Sequence, residues 1–213
     1  MKAIIFDLDG VLVFTDRYHY LGWKKLADRL GIYFDEEINN RLRGVSRMDS
    51  LEIVLEKSTI QYSQAEKEKM AEEKNNTYRE LLGEMTPGDV TEEVRSTLTK
   101  LREMGYKLAI GSSSKNTKFI LEKVELGSYF DAISDGTNIT KSKPDPEVFL
   151  KAAEFLGEDP AQCLVIEDAF AGVDAAKAGG MQAAGIGDAS GYDKADYRLK
   201  SFCDILTLPC IAK

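Results

Sequence analysis

The most constraining feature of the sequence is its start, where a short apolar run leads directly into two aspartates. Residues 3–6 are continuously apolar, which is typical of a strand buried on both faces of a parallel sheet. Asp7 and Asp9 follow where that strand is predicted to end, and open α/β sheets bind their ligands at this edge. Two adjacent carboxylates repel each other, and Mg²⁺ is a hard cation that oxygen ligands hold. An Asx-turn with two solvated acids is the alternative for these residues alone.

Charge and cysteine usage exclude several classes of protein. The 213-residue chain has a net charge of −8 and no long basic run, which argues against nucleic acid and anionic membranes as partners. No apolar stretch approaches a membrane-spanning length, and no leader pattern precedes the first strand. Reduced thiols in a cytoplasmic protein are the simplest account of the three cysteines, which lack metal-binding spacing. They are Cys163, Cys203 and Cys210.

Two kinds of pattern divide the chain. Residues 15–85 show helical patterns only: a helix over 16–30 is predicted to end at Gly31, and capping boxes predict helix starts at Ser46 and Ser63. From about residue 86, strands and helices alternate, which indicates a parallel sheet. We therefore expect an α/β fold, with a doubly wound (Rossmann-like) core of residues 1–14 and 86–213. A small all-helical cap of residues 15–85 is inserted after the first strand.

Further strands of this core are predicted at residues 106–110, 130–133, 163–166 and 181–186. Residues 143–146 are predicted to open a helix that ends at Gly157, and the tail from Asp188 has no clear pattern.

Four of the predicted strands are followed by polar clusters. Besides the two aspartates, these are residues 112–115, the loop that leads to Lys143, and the pair Glu167 and Asp168. A parallel sheet brings such strand ends to one edge. Acids that hold a metal, together with a hydroxyl and an ammonium that hold an anion, are the groups that phosphoryl transfer requires. Alone, a serine-rich loop is usually a turn and a single lysine usually a solvated surface residue.

In chain order, these four clusters resemble the four motifs of the haloacid-dehalogenase superfamily. Asp9 marks the phosphotransferase branch, and the helical insert resembles the cap of the first subclass. Within that subclass, residues 15–19, Trp23, residues 44–47 and Lys74 are similar to the β-phosphoglucomutase family.

The resemblance implies a role for each core residue. Asp7 is the nucleophile that becomes an aspartyl-phosphate, and Asp9 is the general acid and base. Asp7, Asp9, Glu167 and Asp168 would hold Mg²⁺, while Ser112 and Lys143 would bind the transferring phosphoryl group. Substrate binding is implied for a further set: Arg47, His19, Trp23, Thr15, Gly44, Val45, Ser50, Lys74, Ser113, Ser114, Lys115 and Asn116.

Within that set, Arg47 would hold the other phosphate together with Ser114, Lys115 and Asn116, because a guanidinium fork matches phosphate geometry. His19 has an alternative interpretation from periodicity alone, as a core histidine whose ring finds a backbone partner.

Three functions remain open from the sequence. The resemblance implies an isomerase that interconverts β-D-glucose 1-phosphate and glucose 6-phosphate through a glucose 1,6-bisphosphate intermediate, acting as a monomer on a small phosphosugar. A Mg²⁺-dependent sugar-phosphate phosphatase on the same scaffold is the alternative. A non-enzymatic binding protein is the third, and the presence of both Asp7 and Asp9 argues against it.

Overall fold

The computed structural model describes residues 1–42 and 46–212 of the chain, which form two compact units. The larger unit consists of Met1–Phe14 with Thr86–Lys213, and the smaller unit is Thr15–Met85. Within the described residues, the smaller unit contains helices only, and the strands all belong to the larger one. None of the helices in the described ranges combines the length and the hydropathy that a bilayer crossing requires.

A parallel sheet organises the larger unit. Its strands, numbered in chain order, are β1 (Ala3–Phe6), β2 (Lys107–Gly111), β3 (Ala132–Ser134), β4 (Cys163–Glu167), β5 (Gln182–Gly185) and β6 (Tyr197–Arg198). They lie in the order β3-β2-β1-β4-β5-β6, and every pair is parallel. The order reverses direction beside β1, which is typical of doubly wound folds with helices on both faces of the sheet. The predicted doubly wound fold is confirmed.

The α-helices are also numbered in chain order. They are α1 (Asp16–Leu30), α2 (Glu36–Asn40), α3 (Arg47–Leu55), α4 (Gln64–Leu82), α5 (Glu92–Glu103), α6 (Thr117–Lys123), α7 (Glu147–Leu156) and α8 (Phe170–Ala178).

Local signals set the ends of these helices. Gly31, at φ +68°, ends α1 in the left-handed conformation, which a glycine adopts without steric cost. Ser63 begins α4 with a capping box, in which its hydroxyl accepts from the Glu66 N–H and the Glu66 carboxylate accepts from the Ser63 N–H. Ser46 caps α3 by accepting a hydrogen bond from the Asp49 N–H.

The central strand of the sheet, β1, is fully buried. All four residues of β1 are inaccessible to solvent, and Phe6 lies opposite Ile110 on one side and Ile166 on the other. Full burial of such a side chain contributes about 1.5–3 kcal/mol to stability. The two aspartates thus follow a strand that is fully buried and paired on both sides.

The predicted strand at 106–110 lies one residue too early. Tyr106 precedes β2, and its hydroxyl donates to the Ile211 carbonyl at 2.9 Å. The tail that lacked a pattern thus covers the core, and its Phe202 ring lies 5.7 Å from the ring of Phe6.

The strand predicted at 130–133 also begins later. The Asp131 carboxylate accepts from the Leu108 N–H at 2.9 Å, so a side chain fills the place of a backbone acceptor. The ring of Phe130 packs edge-on against Phe6 instead of entering the sheet. The ladder between β2 and β3 consequently begins at Ala132.

Candidate active site

The first strand delivers Asp7 to the edge of the sheet. The Asp7 N–H donates to the Ile166 carbonyl at 3.0 Å, so its backbone is still paired with β4. Glu167 is the last residue of β4, and Asp168 follows it directly. One carboxylate oxygen from each of the three lies within 4.8 Å of the others. The structure therefore brings these three acids together at one edge of the sheet, as the sequence predicts.

We call Asp7, Glu167 and Asp168 the acidic cluster. Their negative charges repel one another. Burial raises the pKa of Asp168 to about 7, and the negative charge of Glu167 adds to the effect. Burial also raises the pKa of Asp7 well above its ordinary value, with further contributions from Glu167, Asp168 and Asp9. A cation is the usual means of offsetting such repulsion.

Lys143 supplies one cation. Its Nζ lies 2.5 Å from Asp7 Oδ1 and 2.8 Å from Glu167 Oε2, and the three side chains are each 9% exposed or less. Burial alone would lower the pKa of Lys143, but the facing charges of Asp7 and Glu167 raise it above its ordinary value. The side chain thus remains an ammonium, and it also lies 4.6 Å from the centroid of the Phe149 ring.

Two glycines leave the space that the carboxylates occupy. Gly10 has φ +85°, and a Cβ there would lie 2.0 Å from Asp168 Oδ2. A Cβ at Gly172, in the first turn of α8, would lie 2.0 Å from Glu167 Cδ. Larger residues at either position would displace the acid that faces it.

The serine loop follows β2, the neighbour of β1. The buried Ser112 hydroxyl accepts from the Ser114 N–H at 3.2 Å, and the Ser114 hydroxyl accepts from the Asn116 N–H at the same distance. Ser113 has a buried hydroxyl without a hydrogen-bond partner among the described residues, whereas Lys115 is exposed. The loop thus presents hydroxyls and amides beside the strand that carries Asp7.

Asp9 is half-buried two residues beyond Asp7, and its charge raises the pKa of both Asp7 and Asp168. The larger unit therefore holds the predicted core residues at neighbouring strand ends.

The smaller unit contains a separate cluster of predicted residues. Lys74 is 3% exposed, and its Nζ lies 2.9 Å from His19 Nδ1, 4.8 Å from the Trp23 ring centroid and 4.6 Å from that of Tyr78. Burial, with the positive charges of Lys74 and Arg47, holds the pKa of His19 well below its ordinary value. The imidazole is therefore neutral, and its Nδ1 accepts from the ammonium.

His19 thus differs from the core histidine that periodicity favours. It is half-buried, and its partner is a lysine side chain rather than the backbone.

The other predicted residues of this unit are placed individually. Thr15 and Ser50 are buried, and Arg47 is half-buried in the first turn of α3. Gly44 and Val45 lie outside the described residues.

Sequence reasoning missed two aromatic members of these sites. The ring of Tyr78 stacks on His19 at 4.1 Å, and its place four residues after Lys74 on α4 was the available signal. Phe149 under Lys143 carried no signal, because an apolar residue in α7 reads as ordinary core.

Comparison with known proteins shows the family of the chain. The family model for haloacid dehalogenase-like hydrolases matches residues 1–180. A β-phosphoglucomutase of Bacillus subtilis (strain 168) is 41% identical over 96% of this chain and 92% of its own length. A phosphorylated carbohydrates phosphatase of Thermotoga maritima is 34% identical over 85% of this chain and 83% of its own length.

A solved structure is similar as well. The crystal structure of β-phosphoglucomutase from Clostridium difficile superposes with a TM-score of 0.89 at 39% identity, covering 96% of this chain and 93% of that one. The resemblance that the four motifs indicated is confirmed. The chain belongs to the haloacid dehalogenase-like hydrolase family and, within it, to the β-phosphoglucomutase family.

Proposed function

We propose that the chain is an isomerase that interconverts β-D-glucose 1-phosphate and glucose 6-phosphate, acting as a monomer. The observation that carries the proposal is the contact of Lys143 Nζ with both Asp7 and Glu167. It supports the proposal because it brings a carboxylate that could act as the nucleophile, a cation and oxygens that could bind a metal to one edge of the sheet. The β-phosphoglucomutases at 41% and 39% identity support the same reaction.

We further propose that the acidic cluster holds Mg²⁺. The donor set fits, because Asp7, Glu167 and Asp168 offer three carboxylate oxygens within 4.8 Å of one another, and Mg²⁺ prefers oxygen ligands. The backbone carbonyl of Asp9 would add a further ligand, as the resemblance implies. When bound, the cation would neutralise charge on the phosphoryl oxygens.

In the proposed reaction, an oxygen of Asp7 attacks the phosphorus of glucose 1,6-bisphosphate. The new O–P bond forms as the bond to the sugar oxygen breaks, and Asp9 gives that oxygen a proton. In the second transfer, Asp9 takes the proton of a sugar hydroxyl. The oxygen of that hydroxyl attacks the phosphorus as the bond between phosphorus and Asp7 breaks, so the phosphoryl group returns to a sugar. Lys143 and Ser112 hold the transferring group throughout, and the Lys143 ammonium balances its charge.

The remaining roles are proposed from the resemblance. Arg47, Ser114, Lys115 and Asn116 would hold the second phosphate, since an isomerase of this kind must bind two at once. His19 and Lys74 would help to settle Asp9 and the sugar, and Thr15 would act as a hinge. Trp23, Gly44, Val45, Ser50 and Ser113 complete the proposed substrate-binding set.

One observation favours a second candidate, a sugar-phosphate phosphatase. The Thermotoga maritima relative at 34% identity is named as a phosphatase of phosphorylated carbohydrates. Both reactions need the same nucleophile and metal, and they differ in whether water or a sugar hydroxyl accepts the phosphoryl group.

One assay separates the two functions. Purified protein with Mg²⁺ is given β-glucose 1-phosphate and a catalytic amount of glucose 1,6-bisphosphate, while glucose 6-phosphate and free phosphate are measured in parallel. We expect glucose 6-phosphate to form with little free phosphate. Stoichiometric release of phosphate would overturn the isomerase and favour the phosphatase.

A further inference from the structure

Lys143 lies in a segment without regular structure. The segment runs from residue 135 to residue 146, between the end of β3 and the start of α7. A lysine side chain has several rotatable bonds, and a mobile backbone would add to its freedom. Something must therefore fix this segment if the ammonium is to stay between two carboxylates.

Glu147, the first residue of α7, makes the contacts that do so. Its Oε2 accepts three hydrogen bonds from the segment: from the Thr140 N–H at 2.8 Å, the Thr140 hydroxyl at 2.9 Å and the Lys141 N–H at 2.8 Å. The side chain is 20% exposed, and its three hydrogen bonds lie at the solvent-accessible surface of the segment. One carboxylate oxygen thus fastens the backbone just ahead of Lys143.

Other contacts hold the segment on either side of these bonds. The Glu147 N–H donates to the Asp145 carboxylate at 3.0 Å, and the Asp145 N–H donates to the Ser142 carbonyl at 3.1 Å. On the far side, the Lys151 ammonium donates to the Asn138 carbonyl. Residues in the first two turns of α7 are therefore hydrogen-bonded to the segment at several points.

The same helix also contacts the ammonium of Lys143. Phe149, two residues after Glu147, is fully buried, and its ring centroid lies 4.6 Å from Lys143 Nζ. The ring packs closely against β2, since a Cβ at Gly111 would lie 2.5 Å from it. The helix thus determines both the surface under Lys143 and the backbone that carries it.

We propose that Glu147 is a positioning residue, whose carboxylate fixes the backbone before Lys143 so that the ammonium contacts Asp7 and Glu167 together. The inference rests on the proposed function in one respect, the assignment of Lys143 to the phosphoryl group. Hydrogen bonds from the Lys141 and Thr140 N–H groups lower the pKa of Glu147 to about 2, so the acceptor is ionised at neutral pH. Hydrogen bonds to an ionised acceptor are the stronger kind.

The test compares Glu147→Ala with Glu154→Ala, which removes an exposed carboxylate later in the same helix. Lys143 accessibility is measured first, as the rate of acylation by acetic anhydride followed by mass spectrometry, with the exposed Lys100 of α5 as internal reference. We expect Glu147→Ala to raise the relative labelling of Lys143 at least several-fold. Hydrogen exchange should also quicken in residues 138–145 and stay slow in β1 and β4.

Hydrolysis of a small aryl phosphate is the second readout. A catalytic group misplaced by about 1 Å costs about 10²-fold in rate, so we expect kcat to fall by roughly that factor in Glu147→Ala, with a smaller change in KM. Glu154→Ala should keep wild-type labelling and turnover. Should Glu147→Ala fail to fold, Glu147→Gln retains the volume and loses the charge, and it should lie between wild type and alanine in both readouts.

The outcomes separate this inference from the proposed function. Unchanged labelling of Lys143 and unchanged kcat in Glu147→Ala, or equal losses in Glu154→Ala, would overturn the positioning role. If the wild type fails to isomerise the sugar phosphate while Glu147→Ala still exposes Lys143 and loses aryl phosphate turnover, the proposed function fails and the positioning role stands.

Discussion

Lys143 Nζ lies 2.5 Å from Oδ1 of Asp7, although 136 residues separate the two along the chain. The pair joins the end of β1 to the segment that precedes α7. The positive charge of the ammonium favours the ionised form of the Asp7 carboxylate and so lowers its pKa, against the larger opposing effect of burial.

Asp7→Asn should abolish turnover, because an amide is too weak a nucleophile to form the aspartyl-phosphate. The loss is measured with β-glucose 1-phosphate and with an aryl phosphate, together with acid-quenched trapping of phosphate on the protein. Asp193→Asn, an exposed position, serves as the control and should behave as wild type. Near-normal activity of Asp7→Asn would remove the nucleophile assignment.

Gly172→Ala should weaken Mg²⁺ binding, because the added methyl group would lie 2.0 Å from Glu167 Cδ and push that carboxylate aside. Overpacking of this kind costs about 1–3 kcal/mol, which exceeds the roughly 0.5–1 kcal/mol that alanine gains over glycine inside a helix. Calorimetric titration with Mg²⁺ measures the affinity, and chemical denaturation measures the stability. Gly127→Ala, whose methyl group would meet no atom within 4 Å, should leave the Mg²⁺ affinity unchanged and should not lower the stability. An unchanged Mg²⁺ affinity in Gly172→Ala would contradict the close packing of Glu167.

Magnesium should raise the thermal midpoint of the wild type, since an ion that binds only the folded state stabilises it. At a hundred times its Kd the gain is about 2.7 kcal/mol, or roughly 5–10 °C for a chain of this size. Differential scanning calorimetry with and without a chelator measures it. Asp168→Asn, which loses a carboxylate of the acidic cluster, should show a much smaller rise. A wild-type midpoint indifferent to Mg²⁺ would count against the metal site.

Arg47→Ala should damage isomerisation far more than hydrolysis of a small aryl phosphate, because only the sugar bisphosphate carries a second phosphate for the guanidinium to hold. The two assays are run side by side on the same preparation. Arg41→Ala is the matched control, since Arg41 is exposed and pairs with Glu56 on the surface. Equal losses in both assays would argue against a phosphate-binding role for Arg47.

Titration of His19, the single histidine of the sequence, should make the free energy of unfolding depend on pH. Its pKa is lowered in the folded state, so the unfolded chain binds the proton more readily and stability falls as the pH drops below about 6.5. Asp168, whose folded pKa is about 7, titrates with the opposite sign, so the wild type alone shows a mixture.

The measurement for His19 is therefore a difference. Denaturant unfolding of wild type and His19→Gln is followed from pH 8 to pH 5, because glutamine keeps an acceptor for Lys74 and does not titrate in this range. The stability of the wild type relative to the variant should decline toward pH 5, with a slope of at most about 1.4 kcal/mol per pH unit. A difference that is constant with pH would mean that His19 keeps an ordinary pKa.

The sequence predicts the strands of the sheet and the acidic residues at their ends well, because both follow from patterns of neighbouring residues in the chain. A buried apolar run ends where Asp7 and Glu167 stand, and parallel strands then bring their ends together. Gly31 and Ser63 mark helix boundaries by the same local logic.

Contacts formed only by the assembled chain could not be predicted. Glu147 reads as an ordinary first-turn acid of a helix, and its three bonds to residues 140 and 141 depend on the path of a loop. The late start of β3 likewise depends on Asp131 meeting Leu108 across the sheet.

The central place of β1 has a consequence for biosynthesis. A ribosome makes Ala3–Phe6 first, yet both neighbours of that strand emerge only when Lys107–Gly111 and Cys163–Glu167 have been translated. The residues of Thr15–Met85 are made in between and can form their own helices meanwhile. The nascent strand therefore stays apolar and unpaired while residues 7–106 are translated, and it lacks its second neighbour until β4 has followed. A stalled or truncated product would expose this strand, and it is the segment that a chaperone would have to shield.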